Sequence, residues 1–309
     1  MGHHNSQLDA IGQVTVVGTG LLGGSIGLGL KKAGFTGRIV GVGRRDSTVR
    51  RARERDCIDA GYTTLAEAVA EARESAQGTV HLLVLATPLS TFDAILDELN
   101  RMDLAGTIIT DVGSTKQHVC QSAAQRLAEP HRFVGSHPMA GSEQHGPDYA
   151  RADLFVGCPC ILTPEANTSR AAQDTVEAVW RALGMRLVYM TPQEHDRQVA
   201  LISHLPHAVA SLLVSLAQRG GSLRIASSGF RDTTRVASGD PRVWADIFSA
   251  NRQAVCEAVD ALYRELDDFK QQLEHNDHAG MLETLSRNKA ARDQWMAAAA
   301  DGHDDESGE

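Results

Sequence analysis

No stretch of this 309-residue chain comes near the roughly 18 uncharged apolar residues that a membrane span needs, so no membrane partner is expected. Met1 to Gln7 is polar and has no apolar core segment, which argues against a secretory leader. Cysteine is sparse and poorly arranged for a disulfide framework. The five (Cys57, Cys120, Cys158, Cys160, Cys256) form no CxxC pair and are odd in number. Reduced thiols in a cytoplasm fit that usage. A basic excess is missing too: the formal charge is −9, where a nucleic-acid binder would show a basic face. Lysine is rare, 5 against 25 arginines, so a catalytic lysine would have to be Lys31, Lys32, Lys116, Lys270 or Lys289.

What is present is enough apolar matter for a core, 42% against 22% charged, at a length that favours two domains. The first half alternates short β-branched runs with helical segments, the pattern of βαβ units and a parallel sheet. Strands are expected at Gln13–Gly18, Arg38–Gly43, Val80–Thr87, Thr107–Asp111, Arg132–Gly135, Pro159–Thr163 and Met185–Met190, and a first helix at Gly24–Ala33. Val80–Thr87 is apolar nearly throughout and reads as a central strand buried on both faces. From residue 193 every segment is helical. The longest follows Asp240-Pro241, an N-cap acid with proline at the first helical position. Its stripe of Val243, Ile247, Val255, Val259, Leu262, Leu266, Phe269 and Leu273 predicts one amphipathic helix on the order of 45 Å long, which suggests a dimer core. The expected division is 10–192 for an α/β Rossmann-like domain, 193–296 for an all-helical domain, and 297–309 for an Ala-rich, then acidic, disordered tail.

Gly18-Thr19-Gly20-Leu21-Leu22-Gly23 stands between the first strand and its helix, where a dinucleotide fingerprint belongs. Its first glycine makes the turn, the second lets backbone approach a pyrophosphate, and the third lets helix and strand pack closely. Leu21, Leu22 and Thr87, at the end of the Val80–Thr87 run, complete the expected cofactor contacts. At the end of the second strand, where an NAD site carries Asp or Glu, this chain has Gly43 followed by Arg44 and Arg45. Losing the carboxylate removes the repulsion of a 2′-phosphate, and Arg44 can pair with one. That favours NADP, or dual use, over strict NAD.

Further polar motifs lie just past strands, where open α/β sheets bind ligands. DVGSTK begins at Asp111 and SHPMAGSE at Ser136, and Ser114 is placed to cap the following helix. In the helical half, SHLPH starts at Ser203, with Pro206 expected to kink its helix and free a carbonyl, and GFRDTTR starts at Gly229. His204 and His207 stand at i, i+3, but no third ligand motif accompanies them and no metal is expected. His81, His118, His131 and His195 read as structural or surface histidines, and Cys158 and Cys160 as core thiols.

GTGLLGGSIGLGL, DVGSTK, SHPMAGSE, ISHLPHAVA and GFRDTTRVASGDPRVW together resemble the prephenate/arogenate dehydrogenase family of tyrosine biosynthesis, in order and spacing from about residue 13 to about residue 270. The resemblance implies a homodimer with a helical dimerisation domain and a small cyclohexadienol substrate, prephenate or arogenate. It makes His137 the base and Ser114 the group orienting the substrate hydroxyl. Arg235 becomes a clamp on a substrate carboxylate, with Asp232 steering its helix or holding the arginine. His204, His207 and Trp244 become pocket residues, and Glu143 an acid at the rim. The substrate is left open, because Glu143 suits arogenate's ammonium but acids occur there in prephenate enzymes too. Competing readings are weaker. A short-chain dehydrogenase needs Tyr-x-x-x-Lys, but Asp153 follows Tyr149; a β-hydroxyacid dehydrogenase needs a lysine after Gly220-Gly221. A dinucleotide-sensing regulator should have lost His137 or Arg235, and both are present. No regulatory domain or fused mutase is expected after the long helix.

Overall fold

The computed structural model describes residues 7–75, 79–142 and 144–304. Alternation of strand and helix governs the first half. In order come β1 (Ile11–Val17), α1 (Leu21–Lys32), β2 (Arg38–Val42), α2 (Asp46–Glu54), β3 (Ala60–Tyr62), α3 (Leu65–Ser75), β4 (Val80–Leu85), α4 (Phe92–Leu99), β5 (Thr107–Asp111), α5 (Gln117–Arg126) and β6 (Phe133–Pro138). Then follow β7 (Pro159–Thr163), α6 (Arg170–Ala182) and β8 (Arg186–Tyr189). One eight-stranded sheet results, in the order β3-β2-β1-β4-β5-β6-β7-β8.

The sheet is parallel from β3 to β6, but β7 runs antiparallel to β6, with His137 opposite Ile161. The purely parallel expectation therefore fails at one strand. Every earlier pair is joined by a helical crossover, whereas β6 returns to β7 through a loop and a single helical turn at Pro147–Tyr149, and a loop return reverses direction. β3 also escaped the sequence reading, because Ala60-Gly61-Tyr62 is too short for any periodicity.

Both faces of the central strands are dry, as the apolar runs require, whereas the edge strands β3 and β8 are partly exposed. Val14 and Val16 of β1, Leu82 and Val84 of β4 and Ile108 of β5 pack on one side with Ile26, Leu30 and Trp180. Their alternates Val17, Leu83, Leu85 and Ile109 pack on the other with Phe92, Leu96 and Leu99. His81 sits within this core, bonded to Thr15 at 2.8 Å and Thr107 at 3.1 Å, and burial lowers its pKa to about 4.

The helical half comprises α7 (Pro192–Val199), a π-helical turn (Ala200–His204), α8 (Leu205–Arg219), α9 (Ser228–Thr234), α10 (Pro241–Ala250), α11 (Arg252–Glu274) and α12 (His278–Asp304). Pro206, which lacks an N–H, stands just after the π turn, so the expected kink takes that form. Two expectations need correction. The single long helix after Pro241 is two helices, broken at Asn251, where φ is −107° and ψ 28°. The tail is helical from 297 as far as Asp304, because α12 continues through the Ala-rich stretch, and residues 305–309 lie outside the described residues. By contacts the chain divides within α11, one unit running to Ala254 and the other from Val255.

The membrane expectation also changes on the folded helices. The run Pro192–Arg219 is long and apolar enough to cross a membrane, at a mean hydropathy of 1.7, with 28% of that window buried. His204, Pro206 and His207 punctuate the run without bringing its average down far. Its apolar side chains Leu201, Ile202, Leu212 and Leu216 are exposed in the single chain.

Candidate active site

β1 is the point where strand order reverses, with β2 on one side and β4 on the other, and the fork opens a crevice at the carboxyl ends of the strands. Gly18 stands in that fork at φ 108°, its N–H bonded to Val42 O at 2.8 Å. A Cβ on Gly18 would lie 2.3 Å from Ala86 O, and one on Gly23 2.0 Å from Gly18 O, so neither position admits a side chain. A Cβ on Gly20 meets nothing within 4 Å, which leaves the N-terminus of α1 open to a ligand. At Gly43 a Cβ would come within 3.0 Å of Val49 and 3.3 Å of Thr19 Oγ1, a tight fit that asks those side chains to give by a few tenths of an ångström. Arg44 and Arg45 follow it, both exposed.

A cleft of about 800 Å³ lies over these strand ends. Gly20, Leu21, Leu22, Thr87, Ser114 and His137 line its floor; Ser203, His204 and Trp244 line its helical side. His137 is buried, and its Nδ1 lies 2.8 Å from His195 Nε2. His195 Nδ1 lies in turn 2.7 Å from Asp196 Oδ1. A carboxylate only accepts, so His195 donates from Nδ1 and its Nε2 is bare. His137 therefore donates from Nδ1, and its Nε2 keeps a free lone pair. Burial, then the charges of His195, Lys116 and His204, hold the pKa of His137 well below 6.5. The arrangement is an unprotonated imidazole with a fixed tautomer, fit to take a proton.

Asp196 has a second task. Its two oxygens accept the N–H groups of Lys116 (2.7 Å) and Gln117 (3.0 Å) and cap α5 from a distant segment. Ser114 is therefore not the helix cap; it lines the cleft three residues before α5 begins. Beneath it Lys116 and Asp111, both fully buried, form an ion pair. Asp111 also accepts N–H groups from Gly113 (2.7 Å) and Ser136 (3.0 Å), bracing the DVGS loop against the strand that carries His137. Burial pushes the Asp111 carboxyl up, and Lys116 opposes it.

On the helical side, His204 is buried, and its Nδ1 lies 3.1 Å from Asn251 Nδ2, which also donates to Asp196 O at 2.7 Å. The Trp244 ring stacks on His207 at 3.5 Å and 13° and meets His204 edge-on at 6.1 Å. His207 is not among the residues lining the cleft; it stands behind Trp244 and fixes the indole. Burial lowers the pKa of both histidines, to about 4 for His204.

Not every expected residue gathers here. Arg235 is exposed and does not line the cleft. Asp232 pairs with Arg231 at 3.1 Å, so it does not hold Arg235. Glu143 lies outside the described residues. Conversely, His195 was set aside in the sequence as structural, Lys116 stood in DVGSTK without being given a role, and Asp196 and Asn251 carry no motif that would have marked them. The signal nearest to hand was His195-Asp196 directly behind the cap Thr191, whose Oγ1 accepts from Glu194 N at 3.2 Å. Among the described residues, no group of three or more His, Cys, Asp or Glu could hold a metal.

The comparisons agree over nearly the whole chain. The family model "Prephenate dehydrogenase, nucleotide-binding domain" matches residues 26–189, and "Prephenate dehydrogenase, dimerization domain" matches 191–287. The chain is 34% identical to the prephenate dehydrogenase of Bacillus subtilis, over 91% of its own length and 75% of that protein's. It is 31% identical to the cyclohexadienyl dehydrogenase of Zymomonas mobilis, over 82% and 94%. The prephenate dehydrogenase of A. aeolicus, solved in complex with hydroxyphenyl propionate and NAD+, superposes with a TM-score of 0.84 at 31% identity, covering 92% of this chain and 98% of that one.

Proposed function

Because this chain belongs to the prephenate dehydrogenase family, we propose that it carries out the oxidative decarboxylation of prephenate to 4-hydroxyphenylpyruvate, with NAD(P)+ as hydride acceptor. The observation that carries this reading is the bonded series His137–His195–Asp196, which leaves a bare imidazole nitrogen on a residue that lines a cleft beside a dinucleotide loop. The loop fits such a cofactor: Gly18 and Gly23 have no room for a side chain, and Gly20 opens α1 to a pyrophosphate. A nicotinamide dinucleotide held there by Gly20, Leu21, Leu22 and Thr87 supplies the hydride acceptor.

The protein's own part is to bind, orient and move one proton. His137 Nε2 takes the proton of the ring hydroxyl while the hydride leaves the same carbon. The carbon–carboxylate bond then breaks, carbon dioxide departs, and its electron pair completes the aromatic ring. The carbonyl oxygen becomes a phenolic oxygen and recovers a proton. Ser114 orients the hydroxyl, and Trp244, braced by His207, forms a flat wall for the ring. Arg235 enters through the resemblance: its exposed guanidinium is available to a substrate carboxylate. Gly43 and the exposed Arg44 favour NADP over NAD. The exposed leucines of α8, with the dimerization-domain match, support a homodimer.

The test is initial-rate nicotinamide reduction with prephenate or arogenate, each with NAD or NADP. Turnover with prephenate, faster with NADP, is the expected result. Turnover with arogenate alone would move the assignment to arogenate dehydrogenase, and silence in all four from folded, nucleotide-binding protein would overturn the enzyme reading.

A further inference from the structure

Asn251 separates α10 from α11, yet its side chain does not face water: only 5% of the residue is exposed. It reaches into the protein and touches two groups at once, Asp196 O at 2.7 Å and His204 Nδ1 at 3.1 Å, both from Nδ2. A backbone carbonyl only accepts, so the end of the amide that faces it is the NH2 group. That group has two hydrogens, and the second points to His204 Nδ1, which must be bare. Neutral imidazole keeps one N–H, and on His204 it is therefore on Nε2. No hydrogen bond among the described residues engages Nε2, and His204 lines the cleft.

We propose that Asn251 is a positioning residue that holds His204 as an Nε2–H donor for an anionic group of the substrate, a carboxylate in the reaction above. The identity of that anion rests on the proposed function; the tautomer does not. The charged and titratable groups around His204 are Asp196, His195 and His207, with His137 across the cleft, and the Trp244 edge packs on the ring. The same amide grips the backbone of the residue that anchors His195. One side chain thus ties the ring that receives the substrate to the segment that fixes the base.

Asn251→Asp separates this role from a merely structural one. Its carboxylate has no hydrogen to give, so it accepts from His204 Nδ1, moves the bare nitrogen to Nε2, and raises the pH at which the ring becomes doubly protonated. Nitrogen NMR on histidine-labelled full-length protein reads the tautomer directly, with the His204 signals identified by their loss in His204→Gln. The expected wild-type result is a protonated Nε2 and a bare Nδ1 across neutral pH, reversed in Asn251→Asp. The substrate KM of Asn251→Asp should rise about tenfold at alkaline pH, roughly the worth of one hydrogen bond to a charged group. Its kcat should change less, and the KM gap should close as the pH falls and imidazolium restores a donor. A wild-type His204 protonated on Nδ1, or a variant with the wild-type tautomer and KM and only a lower Tm, would overturn the proposal. Wild-type protein that turns over no substrate would sink the enzymatic reading instead, and the nitrogen signals would still decide the tautomer.

Discussion

Two histidines, His137 on the floor of the cleft and His204 on its helical side, have the same side chain and present opposite faces of its chemistry. His137 gives its Nδ1–H to His195 and offers a lone pair. His204 has its Nδ1 filled by the Asn251 amide and offers an N–H. Burial keeps both neutral. The difference comes entirely from what stands behind each ring: a carboxylate two bonds back for one, an amide for the other. Role in such a site is a property of the second partner, and a histidine by itself predicts neither base nor donor. The comparison separates expected kinetic effects. Changes on the floor should strike kcat, and changes on the helical side should strike KM.

His137→Asn should have the largest effect, loss of about 10³-fold or more in kcat, because general-base catalysis contributes roughly 10²–10⁴-fold. Nucleotide binding, followed by fluorescence titration, should be unchanged; its loss would make His137 a structural residue of the cofactor loop. Asp196→Asn comes next, with a fall in kcat of about 10²-fold or more. The amide offers His195 no charge and allows the series to run backwards, the kind of loss seen when the carboxylate of a catalytic triad becomes an amide. Thermal melting of the same variant measures the α5 cap separately, and a lower Tm with normal kcat would reduce Asp196 to a cap. In the wild type the floor also sets a pH limit. Because the pKa of His137 is lowered, the base form persists below pH 6.5, and the acid limb of kcat/KM should fall below the ordinary histidine range. Stability has the same origin and sign. His81 and His204 are held neutral with pKa values lowered to about 4, so the unfolded chain binds more protons as the pH falls below about 6.5, and Tm should drop across that interval. A Tm that is flat from pH 6.5 to 4.5 would contradict that assignment.

The floor was largely legible in the sequence and the helical side was not, for a physical reason. Gly18, Gly20 and Gly23 answer to local backbone geometry, so their spacing along the chain is readable directly: a Cβ would collide at Gly18 and Gly23 and would meet open space at Gly20. His137 was singled out with its motif. Its partner His195 lies 58 residues away and was set aside, because a bond between distant segments leaves no periodicity. Asp196, which reaches back 80 residues to cap α5, was invisible for the same reason, and Ser114 was credited with its work. The break at Asn251 was hidden by the apolar stripe, which continues from Ile247 to Val255 as if the helix did too. Sequence pattern reports which face of an element is buried; it does not report a residue whose role is to end the element and turn inward.

On the helical side Arg235→Gln should raise the substrate KM by about 10- to 100-fold with a smaller change in kcat, the loss of a charge-assisted pair. Its exposed position makes it the residue on which the resemblance and the single-chain geometry differ most. An unchanged KM would remove Arg235 from the carboxylate site and leave the Nε2–H of His204 to serve there.

The smallest effect lies at the edge of the floor and concerns one cofactor only. A Cβ at position 43 would press on Val49 and Thr19, the carboxylate that ordinarily selects against a 2′-phosphate is absent from that position, and the next side chain is an exposed arginine. Arg44→Ala should weaken NADP by about tenfold, the scale of one hydrogen bond between charged groups, and leave NAD within about twofold. Screening makes the NADP effect shrink with added salt, since the guanidinium is in water. Equal weakening of both dinucleotides would mean that Arg44 supports the loop rather than reading the ribose. The preference would then have to reside in Arg45, which stands at the N-terminus of α2 and is tested by the same pair of titrations.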